Sequence, residues 1–230
     1  FPGALAKGRR KKQVVGALCR RLGLWRGVTW RTTDEVERAV IRGRLPGATV
    51  QVAGLVPAPP LAAPTPPRPG PRAPLRLVSF ATLAENKGLD VLLDHVAAAA
   101  RAGLEVELHA YGSAVDPAYR DRCLRKASTM PPGASVRIGG VASRDRVAEE
   151  LAWADAFVLA TASESFGVAI LEALDAGRPI VIGDRTPWRD LRHHGCGWDL
   201  DRSDTAAWVV AFRELADADE PTRLSWHAAS

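Results

Sequence analysis

Cysteine is scarce in this sequence, and neither a long apolar run nor a signal-peptide pattern is present. Its three cysteines, Cys19, Cys123 and Cys196, are scattered without any Cys-x-x-Cys spacing. This argues against a disulfide framework or a zinc site and predicts free thiols in a reducing compartment. No run approaches the roughly 18–20 apolar residues of a membrane span. We therefore expect a cytoplasmic protein, and we interpret a chain that opens with Phe-Pro-Gly as part of a longer product.

Acidic residues are absent from the first 33 positions, which carry nine positive charges. These charges belong to Lys7, Arg9, Arg10, Lys11, Lys12, Arg20, Arg21, Arg26 and Arg31. The spacing of Val14, Val15, Leu18 and Leu22 predicts an amphipathic helix in the same segment. Its basic face is either simply solvated or in peripheral contact, through residues 7–31, with an anionic membrane at the inner face. Few aromatic residues are interleaved with the charges, so we do not expect a nucleic acid partner.

Proline is concentrated in residues 57–74, which hold nine of the seventeen prolines and are predicted to form a linker. Four elements are predicted before it: a helix from Arg10 to Leu22, a strand from Val28 to Arg31, a helix from Asp34 to Arg42 and a strand from Thr49 to Val56. Two such α/β units are too few for a domain. Residues 1–56 are therefore expected to be the end of a truncated one.

Residues 75–219 alternate regularly between buried apolar runs and amphipathic segments. Strands are predicted at Leu75–Ala81, Glu105–Tyr111, Ser135–Ile138, Ala156–Thr161, Pro179–Gly183 and Gly197–Asp201. Helices are predicted at Leu89–Ala102, Tyr119–Met130, Arg144–Ala154, Gly167–Ala176 and Asp204–Asp217. This alternation predicts an α/β protein with a Rossmann-like, doubly wound parallel sheet. Residues 220–230 are left as a C-terminal tail.

The most informative stretch runs from Ala162 to Leu174 and contains Glu164 and Glu172. Glu164 follows a predicted buried strand, at the edge where open α/β sheets bind ligands. The amides of residues 165–167 lie at a helix amino terminus, which attracts anions or sugar hydroxyls. Two acceptors and a row of donors favour a polyhydroxylated, phosphorylated ligand such as a nucleotide sugar. The alternative is structural, with Glu164 complementing the helix dipole and Glu172 a solvated helix residue.

This Glu-x7-Glu spacing, with Ser-Phe-Gly after the first glutamate, resembles family 4 of the glycosyltransferases, which are retaining enzymes with the GT-B fold. The resemblance continues through Lys87-Gly88-Leu89-Asp90 and through Gly177-Arg178-Pro179-Ile180-Val181-Ile182. It covers residues 75–200 strongly and residues 1–56 more weakly. It implies a donor-binding domain in residues 75–219, preceded by the end of an acceptor-side domain.

The resemblance implies a reaction and its partners. A hexose would pass from a nucleoside diphosphate sugar to a saccharide or lipid-linked acceptor, in the synthesis of cell-surface polysaccharide or glycolipid. Glu164, holding the sugar hydroxyls, and Lys87, on the diphosphate, are the catalytic candidates. The other donor-binding candidates are Ser165, Phe166, Gly167 and Val168 near the sugar, Glu172 on the ribose, Gly88 beside the diphosphate, Val141 and Ser143 against the base, Gly112 lining the cleft, and Thr82.

Thr82 is the clearest departure from the family pattern, which usually has an arginine five residues before the lysine. Either another cation replaces this arginine, for which Arg185 is our candidate, or activity is weak. Two alternative functions stay open: a non-catalytic nucleotide-sugar binding module, and a GT-B sugar epimerase or phosphorylase. Lys87, Gly112, Val141 and Ser143 also fit simple surface or turn roles.

No cofactor is expected. No Gly-x-Gly-x-x-Gly follows a predicted strand, so nothing indicates a nicotinamide or flavin group. His193 and His194 are adjacent, and neighbouring histidines rarely point at one ion, so no protein-bound metal is expected either.

Overall fold

The structure is a computed structural model that describes residues 9–32, 35–53, 66–68, 70 and 73–230. The chain divides into two compact units, Phe1–Val56 and Pro57–Ser230. Each unit is described by itself. Most of the proline-rich segment predicted as a linker lies outside the described residues.

The first unit contains one parallel strand pair and two helices. Its elements are α1 (Arg9–Arg21), β1 (Thr29–Thr32), α2 (Glu35–Arg44) and β2 (Thr49–Val52). β1 and β2 pair in parallel with Thr29 opposite Thr49, so β1, α2 and β2 form a βαβ unit. The last residues of the predicted second strand, 54–56, lie outside the described part of the chain.

The second unit consists of six strands that alternate with helices before a final helix closes the chain. The strands are β3 (Leu75–Phe80), β4 (Val106–Tyr111), β5 (Ala134–Gly139), β6 (Ala156–Leu159), β7 (Ile180–Gly183) and β8 (Gly197–Leu200). The helices are α3 (Leu89–Arg101), α4 (Pro117–Ser128), α5 (Arg144–Trp153), α6 (Val168–Asp175), α7 (Thr205–Asp217) and α8 (Glu220–Ala229). All strands are parallel, in the order β5-β4-β3-β6-β7-β8. The predicted Rossmann-like α/β fold is confirmed.

Alternating side chains of the central strands supply two separate cores, one on each face of the sheet. Leu75 and Leu77 of β3 pack with Leu93, Trp208 and Phe212 of α3 and α7. Val78 of the same strand belongs to the other core, which includes residues of α5 and α6. Because helices cover both faces, β6 and β7 are apolar along their whole length, as their sequences indicated.

Within residues 220–230, predicted to be a C-terminal tail, Glu220–Ala229 form helix α8 instead. Asp219 caps this helix by accepting from the Thr222 amide. Trp226 packs edge-to-face on Trp198, with ring centroids 5.3 Å apart. His227 Nδ1 lies 3.0 Å from the Gly177 carbonyl oxygen, to which it donates a hydrogen bond. The segment Asp-Glu-Pro-Thr, a capping residue followed by proline near the first helical position, is a helix-start signal that the sequence analysis overlooked.

Candidate functional site

The candidate site lies where the strand order reverses, between the neighbouring strands β3 and β6. From β3 the chain proceeds outward through β4 to β5, and it then returns to β6 and proceeds outward in the other direction. The loops that follow β3 and β6 therefore diverge and leave a crevice at the carboxyl edge of the sheet. Ligands of open α/β sheets bind at such a position.

Lys87 and Glu164 meet at this crevice from opposite loops. Lys87 ends a short 3-10 turn after β3, and Glu164 lies in the loop after β6. Lys87 Nζ donates to Glu164 Oε1 over 2.5 Å, and the side chains are only 24% and 11% exposed. The structure thus brings together the two catalytic candidates, which are 77 residues apart in sequence.

Backbone contacts fix the two loops against each other. The Asn86 carbonyl accepts from the Ala162 amide at 2.7 Å, and the Thr161 hydroxyl lies 3.1 Å from the same oxygen. Gly88 has a left-handed φ of 70°, and a Cβ there would lie 2.1 Å from the Ala160 carbonyl oxygen. Only glycine combines this conformation with so close an approach. Thr161, fully buried, was not among the predicted site residues.

The turn Ser165-Phe166-Gly167 precedes α6, as predicted, and it leaves the helix without a side-chain cap. Gly167 is the N-cap residue, with a left-handed φ of 80°. The indole Nε1 of Trp188 donates to the Phe166 carbonyl over 2.5 Å, which fixes the turn from the loop after β7. Val168 is about half exposed at the first helical position. Trp188 is far from this turn in sequence, and sequence analysis missed it.

Glu172 lies on α6 and is half-buried. Desolvation by burial raises the pKa of its carboxyl group, while the positive charge of Arg144 acts in the opposite direction. Arg144 is the first residue of α5 and directly follows Ser143. Glu172 is thus in electrostatic contact with the start of α5, where the base-binding candidates lie.

The candidates near β4 and β5 have local structural roles. A Cβ on Gly112 would lie 1.8 Å from the Ala81 carbonyl oxygen, so the close approach of the two strand ends requires glycine there. Ser143 caps α5 by accepting from the Arg146 amide at 3.2 Å. Val141 is 77% exposed in the same loop. None of these observations tests the predicted contacts with a base.

Comparison with known families identifies the chain. The sequence profile of the family described as glycosyl transferases group 1 matches residues 74–218. The chain belongs to the group 1 glycosyl transferases. A comparison with curated protein sequences finds no significant match.

Solved structures of glycosyl transferases share the fold of this group 1 member. A mutant of TarM from S. aureus, in complex with fondaparinux, alpha-GlcNAc-glycerol and UDP, has a TM-score of 0.65 at 14% identity, covering 86% of this chain and 38% of that chain. The pneumococcal O-GlcNAc transferase GtfA, in complex with UDP and GlcNAc, has a TM-score of 0.59 at 17% identity, covering 87% and 41%. A trehalose-6-phosphate synthase has a TM-score of 0.68 at 13% identity, covering 87% and 56%. The chain thus spans between about two fifths and somewhat over half of the length of these structures.

In this group 1 member, Thr82 stands beside the lysine of the crevice. Thr82 and Lys87 both line a small pocket, whose other walls are Ser79, Ala81, Leu83, Leu89, Leu92, Ala110 and Tyr111. Arg185, the predicted substitute cation, has an exposed side chain. Its carbonyl accepts from the Glu164 amide at 3.2 Å. The structure therefore places the backbone of Arg185, rather than its charge, in contact with the Lys87–Glu164 pair.

Two features bear on metals and membranes. Within residues 9–32, 35–53, 66–68, 70 and 73–230, no three His, Cys, Asp or Glu side chains are grouped to hold a metal ion. The rings of His193 and His194 lie edge-to-face, 5.5 Å apart. In the same described ranges, no helix is both long enough and apolar enough to cross a membrane.

Proposed function

We propose that this chain is the donor-binding part of a retaining glycosyltransferase of family 4. It moves a hexose from a nucleoside diphosphate sugar to a saccharide or lipid-linked acceptor, in the synthesis of cell-surface polysaccharide or glycolipid. The observation that carries the proposal is the Lys87–Glu164 contact at the strand-order reversal of a group 1 glycosyl transferase fold. A cation and a carboxylate in one crevice match a ligand that carries both a diphosphate and sugar hydroxyls.

The proposed reaction is a front-side displacement. The acceptor oxygen bonds to the anomeric carbon while the bond from that carbon to the diphosphate oxygen breaks on the same face. The departing phosphate oxygen takes the acceptor proton, so no protein base is needed. The protein positions the substrates and stabilises the charge that develops on the diphosphate, and no protein-bound metal takes part.

Each site residue has a part in this proposal. Lys87 binds the diphosphate, Glu164 the sugar hydroxyls and Glu172 the ribose. The helix starts at Gly88 and Gly167, where the cap residue has no side chain, donate backbone amides to phosphate and sugar oxygens; in α3 the Asp90 amide is already taken by the Tyr119 hydroxyl. Val141 and Ser143 lie against the base.

Ligand binding tests this proposal first. Thermal unfolding of the chain with UDP-, GDP-, ADP- and TDP-sugars should give a clear stabilisation by at least one donor. Lys87→Ala should weaken the matching nucleoside diphosphate about tenfold, the loss expected for one charge-assisted contact, and leave nucleoside affinity unchanged. Lys126→Ala is the matched control, because Lys126 pairs with Asp94 on the helix surface. If the ratio of nucleoside diphosphate to nucleoside affinity were the same in Lys87→Ala and Lys126→Ala, Lys87 would have no role in binding the diphosphate.

The ribose assignment has its own test. Glu172→Ala should weaken the nucleoside and the nucleoside diphosphate alike, since both carry the ribose, while the thermal midpoint stays near that of the parent. Unchanged affinity for both ligands would show that Glu172 is a helix residue without a binding role.

Thr82 favours a second candidate, a nucleotide-sugar binding module without transferase activity. The usual arginine is replaced at a position that shares a pocket with Lys87. In such sites the loss of one charged donor commonly costs on the order of 2–4 kcal/mol of transition-state stabilisation. This candidate predicts donor binding without release of nucleoside diphosphate when acceptors are added. Turnover at ordinary rates would exclude it.

We also propose that residues 7–31 contact anionic lipid at the cytoplasmic face and that nucleic acid is not a partner. Val14, Val15 and Leu18 on α1, and Leu22 just after it, are more than half exposed, and the sequence around them is basic. Co-sedimentation with vesicles of phosphatidylserine, but not of phosphatidylcholine alone, is the expected result.

A further inference from the structure

A guanidinium group from the far edge of the sheet reaches the crevice. Arg202 follows β8, which lies three strand positions from β3 in the sheet order. One terminal nitrogen of Arg202 lies 3.1 Å from the position that a Cβ on Gly88 would take, next to the Ala160 carbonyl. Arg202 therefore stands at the point where the loops after β3 and β6 touch, beside the residue that follows Lys87.

Two buried aromatic rings hold the backbone that carries Arg202. Trp208 Nε1 donates to the Asp201 carbonyl at 3.1 Å, and His95 Nε2 lies 3.1 Å from the Arg202 carbonyl. His95 Nδ1 lies 3.1 Å from the Thr205 hydroxyl. Because a carbonyl only accepts, Nε2 carries the hydrogen and Nδ1 accepts from the threonine. The rings of His95 and Trp208 stack with centroids 4.7 Å apart, and both residues are buried.

The charge state of His95 agrees with this arrangement. Burial lowers the pKa of His95 to about 4, so its ring is neutral near pH 7. A neutral ring adds no repulsion to the neighbouring guanidinium. The contact of His95 with the Arg202 carbonyl is thus an uncharged one near pH 7.

Among the residues that the structure describes, no carboxylate lies within salt-bridge distance of Arg202, although its side chain is half-buried. The neighbouring carboxylates are engaged by their own turn: Asp201 accepts from the Ser203 amide and hydroxyl, and Asp204 caps α7 through the Ala207 amide. A half-buried guanidinium without a counter-ion favours an anionic ligand, and its fork of donors matches phosphate oxygens.

We propose that Arg202 supplies the second positive charge for the diphosphate of the donor, in place of the arginine that Thr82 replaces. This inference rests on the proposed function, and it names Arg202 rather than Arg185 as the substituting cation. Arg185 is exposed, and its charge acts on Asp201, whose pKa is lowered chiefly by hydrogen bonds from Ser203 and further by Arg185. Arg202, in contrast, lies against Gly88 itself.

Calorimetric titration of the whole chain tests the role of Arg202. The ligands are the nucleoside diphosphate that binds best among UDP, GDP, ADP and TDP, its nucleoside, and inorganic pyrophosphate. Arg202→Gln should weaken the diphosphate and pyrophosphate about tenfold, as expected for one charge-assisted contact, with nucleoside affinity unchanged. Arg202→Lys should retain part of the affinity, because it keeps the charge without the fork.

Arg213→Gln is the matched control. Arg213 is on α7 and donates to Ala102, at the opposite end of α3 from Gly88 and about 20 Å away by helix rise. The Arg213→Gln substitution also removes one positive charge, and it should leave the affinities for the diphosphate, the nucleoside and pyrophosphate unchanged. Thr82→Arg added to Arg202→Gln should restore the lost diphosphate affinity, which a purely structural effect of the Arg202 change would not allow.

Four results would overturn the proposal. If Arg202→Gln bound the diphosphate as tightly as Arg213→Gln, while Lys87→Ala bound it weakly, the proposed role of Arg202 would be refuted. The proposed function would still stand. A diphosphate-specific loss in Arg185→Gln instead would make Arg185 the substituting cation. If the parent chain bound none of the four diphosphates, the proposed function itself would fail and this inference with it. If Arg202→Gln does not fold, Arg202→Lys takes its place. A folded Arg202→Lys protein that loses all diphosphate affinity, and does not regain it when Thr82→Arg is added, would also refute the role of Arg202.

Discussion

The helices of the second unit begin in two different ways. Four of the six, α4, α5, α7 and α8, begin after a residue whose side chain accepts from a backbone amide of the first turn. These caps are Asp116, Ser143, Asp204 and Asp219. The other two, α3 and α6, begin after Gly88 and Gly167, which have left-handed φ angles and no side chain to offer.

The two groups differ in whether the residue before the helix supplies a side-chain acceptor for the amides of the first turn. The first amides of any helix need acceptors from outside the helix. In α4, α5, α7 and α8 the sequence provides one locally. In α3 and α6 it provides glycine instead, and these are the two helices that flank the Lys87–Glu164 contact. Local capping is therefore missing where the strand order indicates a ligand, and both glycines allow close backbone approach there.

The largest expected effect comes from a methyl group at the start of α3. Gly88→Ala combines a left-handed conformation, which costs about 1–2 kcal/mol for alanine, with a Cβ 2.1 Å from the Ala160 carbonyl oxygen. We expect a loss of about 3 kcal/mol in the free energy of unfolding, since overpacking adds a further 1–3 kcal/mol, together with loss of diphosphate binding. Urea denaturation and calorimetry measure the two effects.

Alanine substitutions at two other glycines serve as controls for this loss of stability. Gly140→Ala meets no atom within 4 Å and should be nearly neutral. Gly167→Ala meets the fully buried Ile170 side chain at 2.7 Å but no backbone atom, so we expect the conformational cost of about 1–2 kcal/mol and a smaller packing cost than at Gly88. A Gly88→Ala protein as stable as Gly140→Ala would show that the start of α3 is not tightly packed.

A smaller effect concerns His95, which links the capped helix α7 to the uncapped α3. Its pKa of about 4 in the folded chain lies below the ordinary 6.5, so the unfolded chain takes up the proton first as pH falls. Stability from this group is complete above pH 6.5 and falls by about 2 kcal/mol between pH 7 and pH 5. Urea denaturation at both pH values should show a correspondingly weaker pH dependence in His95→Gln. An identical pH dependence in the two proteins would contradict the low pKa.

The smallest effect should come from the ordinary caps. Asp116→Ala and Asp219→Ala should each lower the free energy of unfolding by about 1 kcal/mol, because amides of the first turn lose their acceptor, two in α4 and one in α8. Neither cap lies at the crevice, so diphosphate affinity should not change. If Asp116→Ala weakened diphosphate binding as much as Lys87→Ala, the distinction between capped and uncapped helices would lose its functional meaning.

The sequence predicted the strands, the sheet type and the main helices because continuous apolar runs and helical spacing are local signals. The joint location of Lys87 and Glu164 was also predictable, since each follows a strand and the carboxyl ends of parallel strands share one edge. Helix α8 was missed although Asp219 and Pro221 signal its start. The start of α4 at Pro117 was missed in the same way.

Other contributions to the site could not be predicted from the sequence. These contributions are contacts between residues more than twenty positions apart in sequence, and tertiary packing decides which side chains meet. They come from Trp188, Thr161 and Arg202. The arginine candidate from the sequence, Arg185, lies in the loop after β7. The structure shows that a more distant loop, held by His95, comes closer to Gly88.

The contact between Lys87 and Glu164 also affects which ligands the crevice accepts. Each side chain is the other's partner within the chain, so a ligand that engages only one of them leaves the second charge unpaired. A free phosphate can pair with Lys87 in place of the carboxylate, but it has no group that donates to Glu164. A neutral sugar can donate to Glu164, but it has no negative charge for Lys87. A molecule with an anionic end and a hydroxyl-bearing end satisfies both side chains at once. Under the proposed function, the pair would therefore favour the intact donor over its fragments.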